Sequence, residues 1–267
     1  MTGSAVPVTV ALPPYHHTAE IAARTVPLAG MAPTFVDMSS ASPDVVDLPL
    51  LEYVTRRLSG DDELIAIPAF PARAFVHSWI HVAEHALDAS EPNATAAVYA
   101  RGLLVDRAGP AVPPERVIVA PGAAVAGLRG LRPLFEDAGE PARADYARTG
   151  VYPILSVIAL RAELVARERW LASNLYRAFE IARRRYLARL RDIRGSRVPI
   201  PSVAGHVRML EGVFGPDLGP YGMQANRATL EAFLAHAARL GVIASAPADV
   251  AELFTAVEPF VDFTDGL

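Results

Sequence analysis

Two adjacent histidines follow an apolar run near the start of the sequence. The stretch "ALPPYHHT", residues 11–18, comes directly after "VPVTV" and places Tyr15, His17 and Thr18 at the end of a predicted strand. An imidazole exchanges a proton near neutral pH, and hydroxyl groups form hydrogen bonds with bound anions. The stretch therefore predicts a ligand site at the mouth of this strand.

A second set of charged and titratable side chains lies in "FPARAFVHSWI", residues 70–80. The alternation and β-branched content of residues 74–82 predict a strand, on which Arg73 and His77 would share one face. An arginine beside a histidine can bind a carboxylate and deliver a proton close to it. A surface ion pair and a hydrogen-bonded structural histidine are the alternative for the same two residues.

The segment "HVAEH", residues 81–85, matches the HxxEH pattern of a zinc-binding helix. That chemistry needs His81 and His85 on one helical face, with Glu84 activating water. The surrounding residues alternate as in a strand, and the sequence offers no evident third ligand. We therefore expect no metal here and no cofactor in the protein.

Hydroxyl groups elsewhere fit either an anion site or a structural role. Ser39 and Ser40 follow the run "FVDM", and Thr95 opens a predicted helix, where it can cap the first turn or help to bind an anion. Tyr221 lies in the Gly/Pro turn "GPYG", ahead of Asn226, which we expect to cap a helix. For each of these hydroxyl groups, the sequence leaves open whether it binds a ligand or has only a structural role.

The elements that must position these residues alternate between strands and helices. Short apolar runs bounded by Pro and Gly predict strands. The runs span residues 6–12, 64–67, 74–82, 117–119 and 151–160. Helical periodicity marks residues 94–108, residues 163–193 and the segment from Asn226 to Leu240, with Trp170 at the start of the buried stripe of the second. This order predicts an α/β fold.

The composition excludes several kinds of chemistry. The chain has 267 residues, 52% of them hydrophobic, so it can bury a sizeable core. All of its 25 basic residues are arginine, and it has no cysteine. Without lysine there is no Schiff base and no phosphate-loop lysine. Without cysteine there is no thiolate nucleophile, disulfide or iron–sulfur cluster.

Charge and hydropathy indicate the partners and the compartment. The net charge is −4 and no basic cluster stands out, so we expect no nucleic-acid partner. No apolar stretch approaches the roughly 20 residues of a membrane span, and the first residues lack the basic and apolar regions of an export signal. We expect a cytoplasmic protein with no membrane partner.

Taken in order, several blocks of the sequence resemble the 4,5-dihydroxyphthalate decarboxylase family. The blocks run through nearly the whole chain: Tyr15-x-His17-Thr18; Phe35 with Asp37, Met38 and Ser39; "IPAFPARAFVHSWI"; "ATAAVYARGLL"; "YARTGVYPIL"; "WLASNLYRAFEIAR"; and "PYGMQANRATLEAFL". Two departures stand out. Residues 121–130 are a short bridge where a strand and a substrate-facing loop of the second lobe are expected, and Ser156 stands where we expect a histidine.

This resemblance implies an α/β, two-lobed type II periplasmic-binding-protein-like fold with the ligand between the lobes. We expect residues 1–85 to form the first segment of lobe 1. Residues 86–153 would form a reduced lobe 2, and residues 154–267 would return to lobe 1 and add a helical C-terminal part.

The resemblance also implies a metal-independent lyase for a small aromatic or polyketide-derived carboxylic acid, with decarboxylation by protonation as the expected reaction. We assign proton transfer to His17 and His77. The expected substrate-binding residues are Tyr15, Thr18, Ser39, Ser40, Arg73, Thr95, Ser156 and Tyr221. A dehydratase- or cyclase-type relative in specialised metabolism and a non-catalytic cytosolic small-molecule-binding protein are the alternatives. The expected partner is a small carboxylate, and a homodimer is left open.

Overall fold

The strands of the chain form two separate sheets. The computed structural model describes residues 5–40, 42–84, 94–106, 116–125, 130–192 and 202–260. The strands of this described part are β1 Val6–Ala11, β2 Met31–Phe35, β3 Val45–Pro49, β4 Leu64–Ala66, β5 Ile80–Ala83, β6 Val117–Val119, β7 Leu131–Pro133 and β8 Ser156–Arg161.

The first sheet has five strands in the order β2-β1-β3-β8-β4. Strand β1 runs parallel to β2 and β3, whereas β8 runs antiparallel to β3 and β4. Every residue of β3 before Pro49 is buried, as is every residue of β8 before Arg161. Such continuously buried strands fit central positions that are covered on both faces.

The second sheet is smaller and antiparallel, with the order β6-β5-β7. The chain leaves the first sheet after β4 and returns to it at β8, so two segments cross between the sheets. They touch at an isolated bridge between Arg73 and Ile154. Strand β5 belongs to the second sheet, although its residues fall in the range 1–85 that we expected to belong to lobe 1. The other expected lobe boundaries stay a prediction.

Helices contact both sheets and form most of the described C-terminal part. Their bounds are α1 Ala19–Ala22, α2 Leu50–Leu58, α3 Ala94–Asp106, α4 Gly122–Val125, α5 Gly139–Thr149, α6 Ala162–Arg167, α7 Trp170–Arg191, α8 Val203–Phe214 and α9 Met223–Arg239. Strand β1 and helix α3 lie where the apolar patterns predicted them. The α/β class expected from the sequence is confirmed.

Three local predictions were wrong. Residues 74–82 do not form one strand, because Val76–Trp79 is a 3₁₀ turn that precedes β5. The helix expected over residues 163–193 is broken at Glu168, whose φ of −131° and ψ of 76° are not helical. Trp170 is 37% exposed rather than buried, and its ring lies against Gly30, where a Cβ would clash with it.

The start of the last long helix also differs from the prediction. Helix α9 begins at Met223, with Gly222 in the N-cap position, so Asn226 lies inside the first turn. Its side chain is buried and forms hydrogen bonds with groups outside the helix. The residue that we expected to cap α9 instead connects this helix to the candidate site.

Candidate active site

A cavity of about 400 Å³ lies where the crossing segments meet the helical C-terminal part. It brings together His17 from the turn after β1, Arg73 from the first crossing segment, Arg183 from α7 and Tyr221 from the loop before α9. The remaining wall is almost entirely aromatic or aliphatic: Phe70, Pro71, Phe75, Tyr152, Tyr186, Leu187, Leu210, Phe214, Leu218 and Gly219.

Arg73 is a cation on this wall that forms no ion pair with any acidic side chain in the described part of the chain. Its guanidinium donates to the Pro220 carbonyl at 2.9 Å, the Tyr152 carbonyl at 3.4 Å and the side-chain oxygen of Asn226. The rings of Phe70 and Tyr152 each lie 5.5 Å from its central carbon. Burial lowers the pKa of Arg73 to about 10, so the group stays charged at neutral pH.

Arg183 shares the cavity, but its charge is compensated. Its guanidinium donates to Glu180 at 2.8 Å and to Asp217 at 3.1 Å. Burial alone would lower the pKa of Arg183, yet the hydrogen bond to Asp217 and the charges of both carboxylates raise it above its ordinary value. Arg73, whose polar partners are neutral, is therefore the better site for an anionic ligand.

His17 provides an imidazole to the same cavity. Its ring stacks on Tyr15, with 5.4 Å between the ring centres. Burial and the nearby positive charge of Arg183 lower the pKa of His17 to about 4. The imidazole is therefore neutral at pH 7, and an anion bound beside it would favour its protonated form.

A buried carboxyl that the sequence analysis missed lies behind this stack. The Tyr15 hydroxyl donates to Asp47 Oδ2 at 2.8 Å. Burial raises the pKa of Asp47 to about 6, although hydrogen bonds from Ser156 and Tyr15 oppose that shift. The sequence could have revealed Asp47 through its position inside the apolar run "VVDLP", because a buried acid needs a partner. Ser156 also accepts from the Ala72 amide at 3.3 Å.

Tyr221 lies on the cavity wall as expected. Its ring is 5.2 Å from the central carbon of the Arg183 guanidinium. Its hydroxyl is buried and makes no hydrogen bond to any residue in the described ranges. The hydroxyl can therefore form a hydrogen bond with a ligand or with water.

His77 lies in a second, smaller cavity of about 240 Å³. Its Nε2 is 2.8 Å from Asp145 Oδ2. The 3₁₀ turn at Val76–Trp79 replaces the expected strand, so the shared strand face predicted for Arg73 and His77 does not form. Phe75 lines both cavities and is part of the wall between them.

A second histidine–aspartate pair lines this smaller cavity. His236 Nε2 lies 2.9 Å from Asp106 Oδ2, and Arg239 donates to the other oxygen of Asp106 at 2.6 Å. The ring of His236 packs on Gly102 of α3, where a Cβ would overlap it. Sequence reasoning missed this pair, since its members are far apart in the chain.

The remaining predicted site residues lie outside both cavities. Thr18 is buried and donates to the Tyr15 carbonyl at 3.3 Å. Thr95 is buried and accepts from the Leu51 amide at 3.1 Å, so it caps α2 rather than its own helix. Ser39 and Ser40 are exposed, and Ser39 donates to Asp37 at 2.7 Å. Their assignment to substrate binding stays a prediction.

The residues of the HxxEH segment do not share a helix in the described part of the chain. His81 lies in strand β5 and pairs with Ile118 and Pro133 in the neighbouring strands. His85 lies outside the described residues. Among the described residues, no group of three His, Asp or Glu side chains is placed to hold a metal ion. Nor does this part contain a helix long and apolar enough to cross a membrane.

Comparison with solved structures defines the fold as that of a periplasmic binding protein. The Candida albicans CA3427 gene product, which exhibits the generic periplasmic binding protein fold, aligns with a TM-score of 0.52 and 9% identity over 97% of this chain and 99% of that one. The Escherichia coli aliphatic sulphonate binding protein SsuA aligns with a TM-score of 0.46 and 11% identity over 100% and 99% of the two chains.

In sequence, the chain is similar to 4,5-dihydroxyphthalate decarboxylase from Comamonas testosteroni. The two are 26% identical in an alignment that covers 73% of this chain and 77% of the relative. No family model matches the chain. The similarity to this decarboxylase confirms the resemblance seen in the sequence, and the structure confirms the α/β, periplasmic-binding-protein-like fold that it implied.

Proposed function

We propose that the protein is a metal-independent lyase that decarboxylates a small aromatic or polyketide-derived carboxylic acid in the 400 Å³ cavity. One observation carries this proposal: Arg73, a cation without an acidic partner among the described residues, lies on a wall that is otherwise mainly aromatic and aliphatic. Such a cavity suits a flat apolar body with one anionic group. The similarity to a decarboxylase supports the choice of reaction.

The size and the lining of the cavity support an aromatic or cyclic substrate. A volume of about 400 Å³ lies within the range of small-molecule sites. Phe75, Tyr152 and Phe214 contact one another on one side, with ring centres 4.8 to 5.7 Å apart. Rings at such distances pack well against a further ring.

The proposed reaction breaks the bond between the substrate carbon and its carboxylate. The bonding electrons stay on that carbon, carbon dioxide leaves, and a proton is added to the carbon. Arg73 holds negative charge inside the cavity, where a fixed cation acts more strongly than in water. His17 takes up a proton when the anion binds beside it and donates that proton to the carbon.

His77 stays a proposed second proton-transfer residue, although it lies in the neighbouring cavity. Its contact with Asp145 resembles the pairs that orient a catalytic imidazole. The substrate-binding roles of Tyr15, Ser156 and Tyr221 also stay proposals, as do the cytoplasmic location and the homodimer.

We expect His17→Gln to lower turnover by about 10²- to 10⁴-fold if it transfers the proton, and His77→Gln to do the same if it takes part. Purified protein treated with a chelator would be incubated with a panel of aromatic and polyketide-derived acids, and mass spectrometry would detect the loss of carbon dioxide or water. Replacement of the exposed His16 by Gln is the matched control. Unchanged turnover in either variant would remove that histidine from the mechanism.

The same experiment separates the alternatives. Loss of water instead of carbon dioxide would indicate a dehydratase-type reaction. The periplasmic binding protein fold favours a second candidate, a protein that binds the acid without converting it. Saturable binding with no product from any acid of the panel would support that candidate and contradict the lyase.

A further inference from the structure

Asn226 connects helix α9 to the cavity through Arg73. It lies in the first turn of the helix and is 2% exposed. Its side-chain nitrogen donates to the Pro220 carbonyl at 2.9 Å and the Gly222 carbonyl at 2.7 Å. Its side-chain oxygen accepts a hydrogen bond from the Arg73 guanidinium.

These contacts fix the orientation of the amide. An asparagine side chain has two N–H donors on one side and one carbonyl acceptor on the other. Both donors have acceptors in the loop before α9, so the carbonyl oxygen must face the guanidinium. Rotation of the amide by 180° would place its nitrogen against Arg73 and its oxygen against two carbonyls.

A neutral acceptor at this position leaves the charge of Arg73 intact. Asn226 is close in shape to aspartate, and an aspartate here would form a buried ion pair of the kind that Arg183 forms with Glu180. We propose that Asn226 is a specificity-determining positioning residue, which holds Arg73 in place and keeps its positive charge available for an anionic ligand. The inference rests on the proposed function in taking Arg73 as the anion site.

The proposal predicts an effect on charged ligands that neutral ligands of the same shape do not show. A hydrogen bond to a charged group contributes more than one between neutral groups, and a competing carboxylate next to Arg73 would weaken its interaction with the ligand. Benzoate and benzamide are nearly equal in shape and differ in charge. Their ratio of affinities therefore measures the available charge of Arg73.

The test compares both ligands by calorimetry in the wild-type chain and in Asn226→Asp. We expect benzoate to bind the wild type more tightly than benzamide, and Asn226→Asp to lower the benzoate affinity by about 10- to 100-fold while the benzamide affinity changes less than about threefold. Gln224→Glu adds a charge on the exposed face of the same helix and should leave both affinities unchanged. Arg73→Met should lose the preference for benzoate.

A second pair of variants covers the case in which Asn226→Asp does not fold. Gly219 lines the cavity at a φ of 64°, which Asp and Asn tolerate better than most residues, and a Cβ there would lie 3.8 Å from Arg73 Cδ. Gly219→Asp should therefore weaken benzoate binding more than Gly219→Asn does. Equal losses in this pair, or equal losses of benzoate and benzamide in Asn226→Asp, would overturn the inference.

The absence of a preference for benzoate in the wild type would overturn the inference as well. Product formation is measured separately. A chain that prefers benzoate through Asn226 and Arg73 but converts no acid would contradict the lyase alone. Decarboxylation that Asn226→Asp leaves unchanged, with benzoate affinity also unchanged, would contradict only the role of Asn226.

Discussion

Two arginines on one cavity wall differ in the charge of their partners. Arg183 is paired with Glu180 and Asp217, whereas Arg73 contacts two carbonyl groups and an amide. Because both are the same residue type, their ligand-binding capacity is decided by these neighbours. The sequence places Arg73 beside a histidine but cannot show that its acceptors come from residues about 80 and 150 positions away.

At the same scale, Asp47 makes the stability of the fold depend on pH. Burial raises its pKa from the ordinary 3.8 to about 6 in the folded protein. The native state therefore binds more protons than the unfolded chain between these values, and it loses stability as the pH rises through about 6. An ionised, buried Asp47 is thus unfavourable at neutral pH.

We expect Asp47→Asn to gain stability relative to the wild type as the pH rises from 4 to 7.5, by about 2 kcal/mol in total. The asparagine still accepts from Tyr15 but carries no charge. Urea unfolding at several pH values would measure the difference. Glu136→Gln, at an exposed position, controls for the loss of one negative charge. A difference that does not change with pH would contradict the prediction.

At the scale of elements, close packing between α3 and α9 depends on one glycine. The His236 ring occupies the space where a Cβ of Gly102 would lie. We expect Gly102→Ala to destabilise the protein by about 1–3 kcal/mol through overpacking, even though alanine favours a helix. Denaturant unfolding would measure the change.

Gly212 of α8 provides the matched control, since its Cβ would meet nothing within 4 Å. Gly212→Ala should stabilise the protein by about 0.5–1 kcal/mol, because alanine restricts the unfolded chain and favours the helix. Destabilisation by both substitutions, or by neither, would show that the contact with His236 does not decide the outcome.

The spacing of apolar residues in the sequence correctly predicted β1, α3 and most of α9. In these elements the apolar residues are the ones that the fold buries. It failed at residues 74–82, where a 3₁₀ turn and a strand share an apolar, alternating composition. It also failed at Asn226, a good capping residue that is instead held by Arg73. Asp47 and His236 could not be assigned, because their partners come from distant parts of the chain and only the tertiary fold brings them together.

At the scale of the whole molecule, central and edge strands differ in how well they are protected. Strand β8 lies between β3 and β4, and its first five residues are buried. Strand β7 lies at the edge of the second sheet, and two of its three residues are exposed. Edge strands with little buried surface open by local fluctuations, whereas central strands open only with global unfolding.

We therefore expect amide hydrogens of β8 to exchange about 10³-fold more slowly than those of β7. Hydrogen exchange followed by mass spectrometry would resolve the two segments. The exchange of β8 should track the free energy of global unfolding as urea is added, and that of β7 should not. Equal protection of both strands would show that the two sheets unfold as one cooperative unit.

Phe75 lines two chambers, the cavities of about 400 and 240 Å³ described above. One chamber carries a guanidinium and aromatic walls, and the other carries two imidazole–carboxylate couples. Because a single benzyl group forms part of the partition, trimming it would give bulkier acids access to a longer, joined space. Replacement of Phe75 by a smaller residue is thus a simple route by which the protein could evolve to accept larger substrates. The charged residues of both chambers would stay unchanged.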